Sequence, residues 1–306
     1  MKSSIAILFG FGALLCVIPP AQAGEILFAT DTNGDLIQIN PIPQTSTLVG
    51  TSPDGISPIG IAAQGSGPSK LWVFDNGTNN FIQLDSQNAN TLNTVFTSGA
   101  LSSDTVNEGD LVFTGANNGF VAGIPGFGPT MTAFYSFDTT GANTSLYNGA
   151  VTGDTLVGQH AQMSGLAFCP TTIVLGCVGG TLYGLEKPTD GFHLFTVNQV
   201  NGSILTSVSV TGISGSYSVG GLAINPLTGQ AYVEYSNLSG TSIAGIDLTT
   251  GVTSSPFSIS ANVGTLVDGL TFADDNKSAP TPEPASALLV CIGALALGIR
   301  RHYAKS

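Results

Sequence analysis

Between residues 24 and 281, the groups able to do chemistry are two histidines, two cysteines and eighteen carboxylates. His160 and His193 stand in no Gly-x-Ser-x-Gly, His-Glu-x-x-His or phosphate-cradling context, so no local motif announces a nucleophile or a zinc site. Acid, base and nucleophile can still converge from distant segments of a closed fold. Asp31-Thr32-Asn33-Gly34-Asp35 sets Asp31, Asn33 and Asp35 at alternate positions, as at the opening of a calcium loop. It then departs from that pattern: the glycine falls at the fourth position rather than the sixth, and Ile42 stands where a bidentate glutamate belongs. The competing reading is a hairpin turn between two strands. No cofactor motif is present, and Ca2+ is the one ion these residues would suit.

Asp85, Asp138 and Asp247 each end an alternating strand directly before a turn, which suits capping better than site building. The aromatics, Trp72 among them, lie inside apolar strands and read as core.

These residues need a frame, and an internal repeat supplies it. A glycine-led apolar phrase recurs as Gly60-Ile61-Ala62-Ala63, Gly109-Asp110-Leu111-Val112-Phe113, Gly165-Leu166-Ala167-Phe168, Gly221-Leu222-Ala223-Ile224 and Gly269-Leu270-Thr271-Phe272. A second strand follows most copies, as in Leu71-Trp72-Val73-Phe74. A third then runs to an acid or amide, as in Phe81-Ile82-Gln83-Leu84-Asp85. Short strands, period-two alternation, Gly/Asn/Asp punctuation and a repeat of about fifty residues predict an all-β fold, a β-propeller with four strands to a blade. Residues 26–40 match the second and third strands of a unit that lacks its first. The phrase at Gly269 is a first strand with no second after it. Pairing the two chain ends completes a fifth blade and closes the ring. A sixth blade within residues 116–158, or a two-sheet sandwich, are the alternatives.

Cys169 and Cys177 belong to the body, whereas Cys16 and Cys291 fall in the end segments. Pro170 precedes Tyr183 by thirteen residues, while Pro226 precedes Tyr232 by six, so Cys177 lies in an insertion. A structural disulfide at the base of that loop is expected in an oxidising compartment, and Cys-x7-Cys is a poor metal or redox motif.

Only 8% of residues are charged. In residues 24–281, Lys70, Lys187 and Lys277 face eighteen carboxylates, a net charge of about −15, which excludes nucleic acid as a partner.

The two ends read as addresses. Lys2, an apolar run over residues 5–18 and Ala21-Gln22-Ala23 form a signal peptide cleaved after Ala23; fourteen apolar residues are too few to span a bilayer. Leu14-Leu15 before Cys16 lacks the small residue that lipidation calls for. At the other end, a linker over 276–281 leads to Pro282-Glu283-Pro284. A short hydrophobic helix is expected over 285–299, followed by Arg300-Arg301, which resist crossing. This order resembles the sorting signal of PEP-CTERM proteins over the last 25 or so residues.

The resemblance implies recognition of Pro282, Glu283 and Pro284 by an exosortase-type membrane protease. Residues 285–299 would serve as a transient membrane anchor, with Arg300 and Arg301 as the cytoplasmic stop. An ordinary permanent tail anchor is the alternative. The resemblance also implies an exported product in the envelope, at the surface or in the medium, with extracellular polysaccharide as a partner class in a biofilm matrix. The expected function is a non-catalytic binding or structural propeller. The alternative is an extracellular propeller hydrolase or lyase with a divalent metal near the axis.

Overall fold

Five antiparallel blades surround one axis, and each is built as the repeat requires. In the computed structural model, the described residues are 25–274 apart from 66–69, 100–105, 126–132, 141–142, 147–162, 174, 187–191, 214–218, 238–239 and 260–265. The signal segment, the sorting tail with its expected helix, and His160 lie outside them.

Blade I joins β21 (Val267–Asp274) to β1 (Glu25–Asp31), β2 (Asp35–Asn40) and β3 (Thr45–Thr51). Blade II is β4 (Pro58–Gln64), β5 (Lys70–Asp75), β6 (Asn80–Leu84) and β7 (Thr91–Phe96). Blade III runs from β9 (Val106–Phe113) through β10 (Asn118–Pro125) and β11 (Ala133–Asp138) to β12 (Asn143–Leu146). The two-residue β8 (Ser98–Gly99), which follows β7, adds a parallel fifth strand to it. Blade IV is β13 (Met163–Phe168), β14 (Leu182–Glu186), β15 (His193–Val197) and β16 (Ile204–Ser209). Blade V is β17 (Val219–Ile224), β18 (Ala231–Asn237), β19 (Gly240–Ile246) and β20 (Phe257–Ser258).

The ring closes where the sequence places the seam. Strand β1 pairs antiparallel with β21, setting Glu25 opposite Asp274 and Leu27 opposite Phe272. The long stretch after residue 116 builds β10 to β12 of blade III, so the count is five.

Alternation within each strand serves two interfaces, because every blade is covered on both faces. In β5, Trp72 and Phe74 pack toward blade III with Leu111, Phe113 and Phe137, while Leu71 and Val73 pack toward blade I with Phe28 and Leu36. Five such clusters fill the five junctions. The outermost strands are the solvated ones, as in β7, where Leu92 and Phe96 are exposed.

The third strand of every blade ends on an Asx residue that caps the next turn. Asn40 Oδ1 accepts from the Ile42 N–H at 3.0 Å, Asp85 from Gln87 at 2.8 Å, and Asp138 from Thr140 at 2.7 Å. Asn198 does the same with Val200 at 2.9 Å, and Asp247 with Thr249 at 2.8 Å. This side-chain mimic of a backbone turn is why an acid or amide recurs there. Asp138, held chiefly by the Thr140 hydroxyl and N–H, and Asp247, held by the Thr250 and Thr249 N–H groups, both titrate below the usual aspartate range.

Cys169 and Cys177 form a disulfide with Cα atoms 6.0 Å apart. The loop that they close lies against the turn between β17 and β18. A Cβ added to Gly176 would stand 2.5 Å from the Gly229 carbonyl oxygen.

Candidate functional site

The five inner strands β4, β9, β13, β17 and β21 line the axis. From one end they enclose a cavity of about 240 Å3 walled by apolar residues such as Ile61, Leu111, Leu166, Leu222 and Leu270. Each of these five residues follows the point where neighbouring inner strands approach most closely. A Cβ on Gly269 would lie 2.5 Å from the Gly60 Cα, and one on Gly60 would lie 2.7 Å from the Asp110 Cα. One on Gly165 would lie 2.8 Å from the Leu222 nitrogen, and one on Gly221 3.0 Å from the Leu270 nitrogen. Four blades therefore place glycine in this ring, and blade III places Asp110.

That geometry corrects the alignment of the blade III phrase. Gly109 leads it in the sequence, yet the residue equivalent to Gly60 is Asp110. Gly109 sits one step earlier, opposite Gly123 of β10. The blade III phrase has one residue more between its leading glycine and its first apolar residue, so Asp110 and not Gly109 reaches the ring, and most inner strands also share a register irregularity near their starts. Pairing shifts between Pro58 and Ile61 in β4, between Met163 and Gly165 in β13, and opposite Gly123 and Pro125 for β9.

Asp110 is 1% exposed. Its Oδ1 accepts from the Leu111 N–H at 2.8 Å, and its Oδ2 accepts from the Leu166 N–H of the next blade at 2.7 Å. The Ile61 backbone of the preceding blade also donates to it. One carboxyl thus ties three inner strands together. Burial pushes its pKa well above the ordinary carboxylate value, against the pull of those three N–H groups.

A second carboxyl is buried on the second strand of blade V. Glu234, on β18 opposite Gly221, is 0% exposed. Its Oε1 accepts from the Ser236 hydroxyl, which also bonds Thr241, and the Gly221 backbone donates to the carboxyl. Burial raises the Glu234 pKa strongly, the Ser236 hydroxyl opposes this, and the charge of Asp110 raises it further. Glu234 Oε2 and the fully buried Ser164 Oγ of β13 have no hydrogen-bond partner. Neither Asp110 nor Glu234 was singled out from the sequence. The available signal was a charged residue inside an apolar repeat phrase, and for Glu234 a lone acid between Val233 and Tyr235.

The residues that the sequence did single out lie elsewhere. Asp31 Oδ1 accepts from the N–H groups of Asn33 and Asp35, both at 2.9 Å, and the Thr51 hydroxyl donates to Asp35. Asn33 is exposed, so these residues form the β1–β2 hairpin turn. Asp75 does the same work in blade II, accepting from the Ser57, Gly77 and Thr78 N–H groups. His193 Nδ1 lies 3.7 Å from Glu186 Oε2 at the end of β14. Among the described residues, no three His, Cys, Asp or Glu side chains converge as a metal cluster. Pro282, Glu283, Pro284, Arg300 and Arg301 lie outside the described residues.

No family model and no curated protein match the chain. Among solved structures it is similar to a luciferin-regenerating enzyme, with a TM-score of 0.43 and 12% identity over 77% of this chain and 81% of that one. It is also similar to the hydrazine synthase of Kuenenia stuttgartiensis, with a TM-score of 0.40 and 10% identity over 72% of this chain and 62% of that one. At these scores neither likeness bears on what this chain does.

Proposed function

We propose that the chain is built for export and sorting. Residues 1–23 act as a signal peptide and residues 282–306 as a PEP-CTERM-type sorting signal read by an exosortase-type protease. The propeller between them is a non-catalytic binding or structural module at the cell surface or in the extracellular matrix. The observation that carries this reading is the seam. Glu25 and Asp274 are cross-strand partners, so the ring begins just after the expected cleavage site and ends just before the linker to Pro282. Both address segments can be removed without taking a strand from any blade. The Cys169–Cys177 disulfide agrees with an oxidising destination. Low charge and a surface of hydroxyls and amides suit contact with polysaccharide.

The test replaces the motif by Pro282→Ala, Glu283→Ala and Pro284→Ala together in the native cells. The wild-type chain is expected in the envelope or medium with its tail removed, and the variant in the cytoplasmic membrane with its tail intact. Identical distribution and mass of the two would refute the sorting role.

A further inference from the structure

We infer that the end of the ring carrying the β2–β3, β13–β14, β15–β16, β17–β18 and β19–β20 turns is a docking face for a neutral lipid bilayer. Ten large apolar side chains are exposed among the described residues, and six of them stand on these five turns: Ile42, Leu175, Val178, Val200, Leu227 and Val252. The other four lie along the outermost strands β3, β7 and β16, and none stands on a described turn at the opposite end. Ile42, Leu175 and Val200 are 80%, 78% and 81% exposed, so they project outward rather than roof the core.

Topology brings the six together. Each of these turns joins the first strand of its blade to the second, or the third to the fourth. Successive strands run antiparallel, so all such turns share one end of the ring. The five blades point the same way, because the axial cavity is walled by the C-terminal halves of all five inner strands. The turns belong to blades IV, V and I, which are neighbours around the ring: Leu185 and Val233 help fill the first junction, Ile243 and Ile39 the second.

Asp247 is the one charged residue on the five turns, so the face offers no basic patch to anionic headgroups, and Thr, Asn, Gln and Gly surround the apolar tips. Single apolar side chains on polar turns suit the headgroup boundary, where a hydrocarbon tip enters while its backbone stays wet. A protein interface would instead bury a continuous apolar centre. The chain also leaves the ring at this end, since Asp274, the last residue of β21, lies opposite Glu25. The apolar run over 285–299 begins eleven residues later, within at most about 40 Å of chain. A bilayer holding that run is tethered to this end of the ring, and the docking rests on the reading of 285–299 as a membrane segment.

The experiment incorporates the full-length chain into phosphatidylcholine vesicles containing brominated lipid, recovers them by flotation and reads tryptophan quenching. Val200→Trp places a reporter on the face, Asn33→Trp places one on the exposed β1–β2 turn at the opposite end, and Trp72, 3% exposed, is the common background. Val200→Trp is expected to lose at least about half of its added emission and Asn33→Trp almost none. Adding Ile42→Ser with Leu227→Ser should roughly halve the quenching of Val200→Trp while the chain still floats. Replacing part of the lipid with phosphatidylserine should weaken the quenching, because the body is acidic; quenching that rises instead would overturn the choice of a neutral surface. Equal quenching of the two reporters in a chain that floats would overturn the docking alone. A chain that does not float would refute the membrane reading of residues 285–299, and the docking with it.

Discussion

Gly269→Ala probes the ring of closest approach directly. The φ of Gly269 is +96°, and a Cβ there would stand 2.5 Å from the Gly60 Cα and 2.7 Å from the Ile61 nitrogen. Both obstacles are backbone of the neighbouring blade, so no side-chain rotation relieves them. A non-glycine residue at positive φ costs about 1–2 kcal/mol, and overpacking against fixed structure costs about 1–3 kcal/mol more. Gly55→Ala is the matched control. Its φ is +63° and its Cβ would meet nothing within 4 Å, so it carries the conformational cost alone. The expected excess for Gly269→Ala is about 2 kcal/mol, or roughly 4–8 °C in midpoint for a ring of this size. Urea unfolding followed by the fluorescence of Trp72, the only tryptophan and 3% exposed, reads both variants. Equal losses for the two would refute the axial packing.

Replacing both cysteines, Cys169→Ser with Cys177→Ser, should cost about 2.5 kcal/mol by the loop-entropy estimate, and dithiothreitol should then have no further effect on the midpoint. Above about pH 4, stability should fall as pH rises. Both states hold their protons below the unfolded carboxyl value of about 4; above it the unfolded chain releases them while Asp110 and Glu234, with raised values, do not. Glu234→Gln should make that decline shallower, and a midpoint that climbs with pH would contradict the assignment. Trp72→Phe removes the 2.6 Å bond from Nε1 to Gln64 Oε1 and should cost about 1–2 kcal/mol, read as a shift in the urea midpoint by circular dichroism.

The blades were legible because their signals are local. Alternation in Leu71-Trp72-Val73-Phe74 reports two covered faces, the Asx residue ending each third strand reports a turn, and a first strand without its second reports a seam. The disulfide was legible because one copy of the repeat was too long. The axial site was not, for two physical reasons. One extra residue in the blade III phrase puts Asp110 into the glycine ring, and the glycine that leads the phrase, Gly109, hides that offset. Asp110 reaches the Leu166 N–H only by crossing to the next blade, and Glu234 is buried only by the pairing of β17 with β18, neither of which is marked at the acids themselves. The Asp31-Asn33-Asp35 pattern supports two readings because turn capping and ion binding call on the same oxygen side chains, and the turn is the one whose hydrogen bonds are seen.

The central claim is that a self-sufficient ring lies between two removable addresses, and the intact mass of the chain recovered from its own cells, with both termini mapped, tests it most directly. A product beginning at Gly24 and ending near Pro282 is the expected result. A product that retains residues 285–306 in every fraction would make the tail a permanent anchor and contradict the account.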